Sequence, residues 1–123
     1  MTTSNITNGI VKTLNEHDFI NEFKAYDRMD NFSLKGLRIL FESLEQMAID
    51  CQINIEMDVI GLCCEYNEDT IADIISNYDI DLSHCHTMDD RLETIEEYLH
   101  DNTFVCGSYD DYEHDKVFIY QAF

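Results

Sequence analysis

Residues 103–123 read TFVCGSYDDYEHDKVFIYQAF, and the fold turns on this stretch. Two runs rich in Val, Ile, Phe and Tyr, 103–109 and 116–123, flank a polar, acidic segment, which is the pattern of a β-hairpin. A two-stranded hairpin alone is marginal in water, so its apolar residues need a partner layer. Its acids, Asp110, Asp111, Glu113 and Asp115, fall on the expected turn, where carboxylates stay hydrated.

Working toward the N-terminus, Thr87 opens a helix in a capping-box-like arrangement with Asp90, and Leu92, Ile95 and Leu99 give that helix a buried side. Residues 79–86 read as a loop. Ile71, Ile74, Ile75 and Tyr78 mark a short helix, with Asn67 as its cap and Glu68 and Asp69 near its positive end. From Ile53 the period is two: Ile53, Ile55, Met57 and Val59 alternate with polar residues, and 59–64 is almost continuously apolar. This reads as a strand over 53–64 that becomes buried on both faces, with Gly61 as a bulge. Ser33 caps a long helix whose stripe is Leu34, Leu37, Leu40, Phe41, Leu44, Met47, Ala48 and Cys51. Asn15 caps a shorter one carrying Phe19, Ile20, Phe23 and Tyr26. The order ααβααββ predicts an α+β domain with a small, mainly antiparallel three-stranded sheet packed by helices. Residues 1–14 are expected to be a flexible N-terminal segment and 15–123 a single α+β domain.

Composition sets the class of partner. The chain has 123 residues with 26 acids against 7 bases, a formal net charge of −19. Direct nucleic-acid binding and attraction to an anionic membrane both require clustered Lys and Arg, so both are excluded as expectations. Yet 45% of residues are hydrophobic, enough to bury a core. The start is polar, no run approaches a membrane span, and the adjacent Cys63 and Cys64 do not suit a secreted disulfide framework. A cytoplasmic protein with reduced thiols is expected. Residues 1–50 hold eight acids and five bases, a net of −3, and residues 51–123 hold eighteen acids and two bases, a net of −16.

The acids are patterned. Asp89, Asp90, Glu93, Glu96, Glu97 and Asp101 share one predicted helix, and Asp89, Glu93, Glu97 and Asp101 advance by four, which stacks them on one face. Like charges at that spacing cost a helix roughly 0.2–0.5 kcal/mol per pair, so stability alone does not account for them. The hairpin acids form a second group, and Glu65, Glu68, Asp69 and Asp73 a third. The bland reading is a hydrated face that keeps the protein soluble. The functional reading is a surface that resembles the phosphates of a nucleic acid.

Other chemistry is weakly marked. His84, Cys85 and His86 adjoin in the loop, with Cys63, Cys64, Cys106 and His100 elsewhere, but no CxxC or HxxxH spacing gathers them for zinc. Asp79, Asp81, Ser83 and Asp90 faintly imitate a calcium loop, in which His84 stands where the sharp-turn glycine belongs. No nucleophile elbow, dinucleotide fingerprint or phosphate loop is present, so no catalytic residue, metal ligand or cofactor is expected.

Three stretches, Asp58-Val59-Ile60-Gly61-Leu62-Cys63-Cys64-Glu65-Tyr66, Ala25-Tyr26-Asp27-Arg28-Met29-Asp30-Asn31-Phe32 and Glu97-Tyr98-Leu99-His100-Asp101-Asn102-Thr103, resemble small acidic proteins encoded by bacteriophages and prophages. By type these are similar to anti-restriction and anti-CRISPR inhibitors that mimic DNA. The resemblance implies a phage-encoded, non-enzymatic inhibitor of a defence nuclease, a CRISPR effector or a restriction enzyme, working in the bacterial host cell against a basic nucleic-acid-binding protein or ribonucleoprotein. A protein-interaction or adaptor module, homodimeric through residues 1–50 and with exposed Tyr109, Tyr112, Tyr120 and Phe123, is the alternative. A zinc-stabilised module is the third.

Overall fold

The computed structural model describes the backbone of residues 6–7, 13–111 and 115–123. The chain divides into two compact units, Met1–Glu65 and Tyr66–Phe123, where the sequence led us to expect one domain over 15–123. With eleven acids and five bases the first unit carries −6; with fifteen acids against Arg91 and Lys116 the second carries −13.

In the first unit β1 (Ile6–Thr7) precedes α1 (Glu16–Ala25), α2 (Leu34–Cys51), β2 (Ile55–Glu56) and α3 (Val59–Glu65). Asn15 and Asp18 form a reciprocal capping box at the start of α1, and Ser33 caps α2 by accepting from the Gly36 N–H at 2.9 Å. The apolar stripes then meet: Phe19 lies 5.3 Å from Phe23 and 5.2 Å from Phe41, centroid to centroid, and Leu37, Leu40, Leu44 and Ala48 are buried. Without proline, the helices end on residues that tolerate a left-handed backbone: Asp27, Gln52 and Asp79 have φ of 56°, 55° and 51°.

Two expectations are corrected in this unit. Residues 1–14 are not wholly a free segment, because Ile6 is buried and pairs in parallel with Ile55, and Leu14 is buried with its N–H on the Ile6 carbonyl at 2.8 Å. The strand expected over 53–64 shrinks to the two residues of β2, and the apolar run after it is helical. Asp58 starts α3: its Oδ1 accepts from the Gly61 N–H at 3.1 Å and its carbonyl from the Leu62 N–H at 2.9 Å. Gly61 is therefore no bulge. A Cβ there would stand 2.6 Å from Asp58 Oδ2, so glycine lets the capping carboxylate fold over the first turn. Val59 and Leu62, three apart, are the buried pair, while Ile60 and Cys64 face outward.

The second unit comprises β3 (Tyr66–Thr70), α4 (Ile71–Tyr78), α5 (Met88–Asn102), β4 (Val105–Asp111) and β5 (Asp115–Gln121). The sheet order is β3-β5-β4, antiparallel throughout, so β5 is central and Val117, Phe118, Ile119 and Tyr120 are all buried. The expected hairpin and three-stranded antiparallel sheet of an α+β fold are thus present. Setting aside β1, β2 and α3, the order is ααβααββ. The strand's identity differs, since β3 occupies YNEDT, a segment expected to lead into a helix. Pairing with apolar β5 outweighs its weak strand propensity. Thr70, not Asn67, caps α4 by accepting from the Asp73 N–H at 3.2 Å. Helices α4 and α5 then lay Ile74, Ile95 and Leu99 on Phe118 and Tyr120.

Candidate functional site

Helix α5 builds its face by burying the other one. Ile95 and Leu99 enter the core, Leu92 and Tyr98 pack against it, and Asp89, Asp90, Glu93, Glu97 and Asp101 are exposed, with Glu96 half-buried. The Thr87 Oγ1 accepts from the Asp90 N–H at 3.1 Å, and Asp90 Oδ2 accepts from the His86 N–H at 3.3 Å, which fixes where the helix begins and hence which acids point outward. Asp89 and Asp90 sit in the first turn, where the helix dipole favours negative charge; Glu93, Glu96, Glu97 and Asp101 lie beyond it and have no such compensation. At a rise of about 1.5 Å per residue, the six acids from Asp89 to Asp101 cover about 18 Å, an average of about 3.6 Å of axis per carboxylate around the whole helix and about 6 Å between neighbours of the row Asp89, Glu93, Glu97 and Asp101. A single DNA strand presents one phosphate per ~3.4 Å of axis.

Part of the hairpin group lies near the start of the helix, on its Met88 and Leu92 side and not on the face of Glu93 and Glu97. Asp110 opposes Lys116 in the β4–β5 ladder, its carboxylate 3.8 Å from Lys116 Nζ, and Asp111 opposes Asp115. Ile71, Met88, Leu92, Asp110, Asp111 and Lys116 together line an open cleft of about 470 Å³. The start of α5 and the base of the hairpin turn therefore meet, while Asp101 lies three helical turns further along. Glu113 and Tyr112 lie outside the described residues, and Asp115 begins β5.

The third group does not form a face. Glu65 ends α3 in the first unit and Asp73 is exposed on α4, but Glu68 and Asp69 are half-buried hydrogen-bond acceptors. On one side of the sheet the Tyr109 hydroxyl donates to Glu68 Oε2 at 2.5 Å; on the other the Tyr120 hydroxyl donates to Asp69 Oδ2 at 2.5 Å. With its hydrogen committed to Asp69, Tyr120 accepts from the Tyr78 hydroxyl at 3.2 Å. Burial pushes the Tyr120 phenol well above its ordinary 10.0, and the bonds to Asp69 and Tyr78 push it further. Tyr120 and Tyr109 are thus not the exposed aromatics expected. The unbroken apolar run 117–120 carried the signal that Tyr120 is internal. Phe123 is exposed yet stacks on Tyr78, with centroids 4.5 Å apart.

The histidines and cysteines serve the loop. Thr94 donates to the Asp90 carbonyl at 2.9 Å, so its oxygen is left to accept from the Cys85 thiol and from His84 Nε2, each at 3.4 Å. Asp81 accepts from the Ser83 N–H at 2.9 Å, and that bond holds its carboxyl below the ordinary 3.8. Among the described residues no three His, Cys, Asp or Glu side chains gather to hold a metal ion. Cys51 and Cys64 are exposed; the half-buried Cys63 thiol is pushed up by burial, against the opposing pull of Arg28. Among the described residues no helix is long and apolar enough to cross a membrane.

Comparison with protein-family models, curated proteins and solved structures finds no match for this chain.

Proposed function

We propose that this protein is a non-enzymatic, phage-encoded inhibitor of a bacterial defence nuclease, a CRISPR effector or a restriction enzyme, that acts in the host cytoplasm as an acidic mimic of nucleic acid. The observation carrying the proposal is the exposed carboxylate row of α5, Asp89, Glu93, Glu97 and Asp101, which repeats about every 6 Å along one helix face. The row carries a helix cost that folding does not require, which favours a use in recognition. The partner is a basic nucleic-acid-binding protein or ribonucleoprotein whose Lys and Arg would otherwise hold phosphates. Attraction over a Debye length of about 10 Å at 0.1 M salt speeds encounter, and a few desolvated contacts set the affinity.

The test is a pull-down from host lysate at low and moderate salt, followed by DNA competition on the captured complex. Displacement of DNA by the wild type, lost in the combined Glu93→Gln, Glu96→Gln and Glu97→Gln variant while circular dichroism is unchanged, supports the mimic. A captured partner that still binds its DNA overturns it.

A second reading, an adaptor or homodimer formed through the first unit, is favoured by the exposure of Leu34, Ile49, Ile53 and Ile60 on the less acidic half of the chain. Under that reading the triple Gln variant keeps its activity and Ile49→Ser with Ile53→Ser removes it.

A further inference from the structure

We propose that the cleft between α4, α5 and the β4–β5 hairpin receives a single arginine side chain of the basic partner, so that the acidic face has one shaped anchor point as well as diffuse charge. This rests on the mimic reading and names the contact that would give it register.

The cleft has two kinds of wall. Ile71 and Met88, which open two helices, and Leu92, one turn on from Met88, supply apolar surface, and Met88 at 55% is the most exposed large apolar side chain among the described residues of this unit. Asp110 and Asp111 stand at the opposite wall on β4. An arginine has the complementary anatomy: a three-carbon stem that gains by lying on apolar surface and a planar fork that bonds carboxylates in pairs. A volume of about 470 Å³ falls in the range of ligand-sized pockets, room for one long side chain with its flanking backbone.

Charge decides the sign of the occupant. Lys116 and the positive ends of α4 and α5 also face this region, and alone they would suit an anion. Asp73 in the first turn of α4 and Asp89 and Asp90 in that of α5 offset those helix ends, which leaves the two lining carboxylates, Asp110 and Asp111, against the one ammonium of Lys116. The Lys116–Asp110 pair is loose at 3.8 Å, and the Asp110 side chain is 88% exposed. Such a pair contributes little and yields to a bidentate guanidinium.

The experiment titrates the full-length protein, labelled at methionine methyls and backbone amides, with N-acetyl-arginine methylamide and with its lysine, norleucine and glutamate counterparts. The expected result is a saturable shift of the Met88 methyl and the Asp110, Asp111 and Lys116 amides by the arginine compound, several-fold tighter than by lysine. Met88→Ser and Asp110→Asn should each weaken it about three- to tenfold, and Lys116→Gln should tighten it. Equal shifts along the Glu93, Glu97 and Asp101 row without a larger one at Met88, or binding of the norleucine or glutamate compound as tight as arginine, overturn the cleft. Unchanged arginine binding in both weakening variants does the same. DNA displacement by the wild type is read separately, so its absence with a specific Met88 response sinks the mimic reading and leaves the cleft.

Discussion

Tyr120 shows how much a single side chain can carry in the second unit. It is buried, donates to Asp69 and accepts from Tyr78 while packing against Ile74, Ile95 and Leu99. Tyr120→Phe leaves a half-buried carboxylate without its donor and should cost about 1–3 kcal/mol in urea denaturation. The phenol stays protonated in the folded protein but loses its proton near pH 10.0 when unfolded. The bond's stabilisation is therefore complete below that pH and declines as pH rises beyond it. Without tryptophan to mask tyrosine absorbance, an alkaline ultraviolet titration should show a tyrosine that ionises only on unfolding and that Tyr120→Phe removes. Residue chemistry of this kind was hardly legible: Tyr120 was expected exposed although the apolar run 117–120 fits an internal strand, and no sequence rule pairs it with Asp69 fifty-one positions earlier.

At the scale of elements, the caps Asn15, Ser33 and Thr87 and the hairpin strands were legible, while the Asn67 cap and the strand ahead of the hairpin were not. Asn15, Ser33 and Thr87 announce their helices because a short polar side chain before an apolar stripe has few other uses. Residues 59–65 misled because a short apolar run fits a buried strand or a helix equally, and the deciding contact, Asp58 curled over Gly61, is invisible to periodicity. Residues 66–70 misled in the opposite sense, since a polar strand exists only through its pairing with β5. The acidic face of α5 was legible because a spacing of four maps directly onto a helix surface; the meeting of Met88 and Leu92 with the hairpin across the cleft was not, being a product of tertiary packing. Two outcomes follow for elements. Thr87→Ala should destabilise by about 1 kcal/mol through loss of the cap. Glu93→Gln with Glu97→Gln should raise the unfolding midpoint slightly, by a few tenths of a kcal/mol for each repulsive pair relieved, so that gain of stability accompanies loss of partner binding.

For the whole molecule the charge is the governing quantity. A net of −13 on fifty-eight residues against −6 on sixty-five places the self-repulsion mostly in Tyr66–Phe123. Added salt should therefore raise stability, and amide hydrogen exchange from low to high salt should slow more in the second unit than in the first.

The sheet order carries one more consequence. Strands β3 and β4 are its margins, and they hold Glu68, Asp69, Asp110 and Asp111. Charged margins deter another copy from adding a strand. Removing that guard by substitution tests it: Asp110→Asn with Asp111→Asn should make the protein form β-rich assemblies, detected by light scattering and thioflavin fluorescence, at concentrations where the wild type does not. The acids that face a partner at neutral pH thus also keep the protein from becoming a partner to itself.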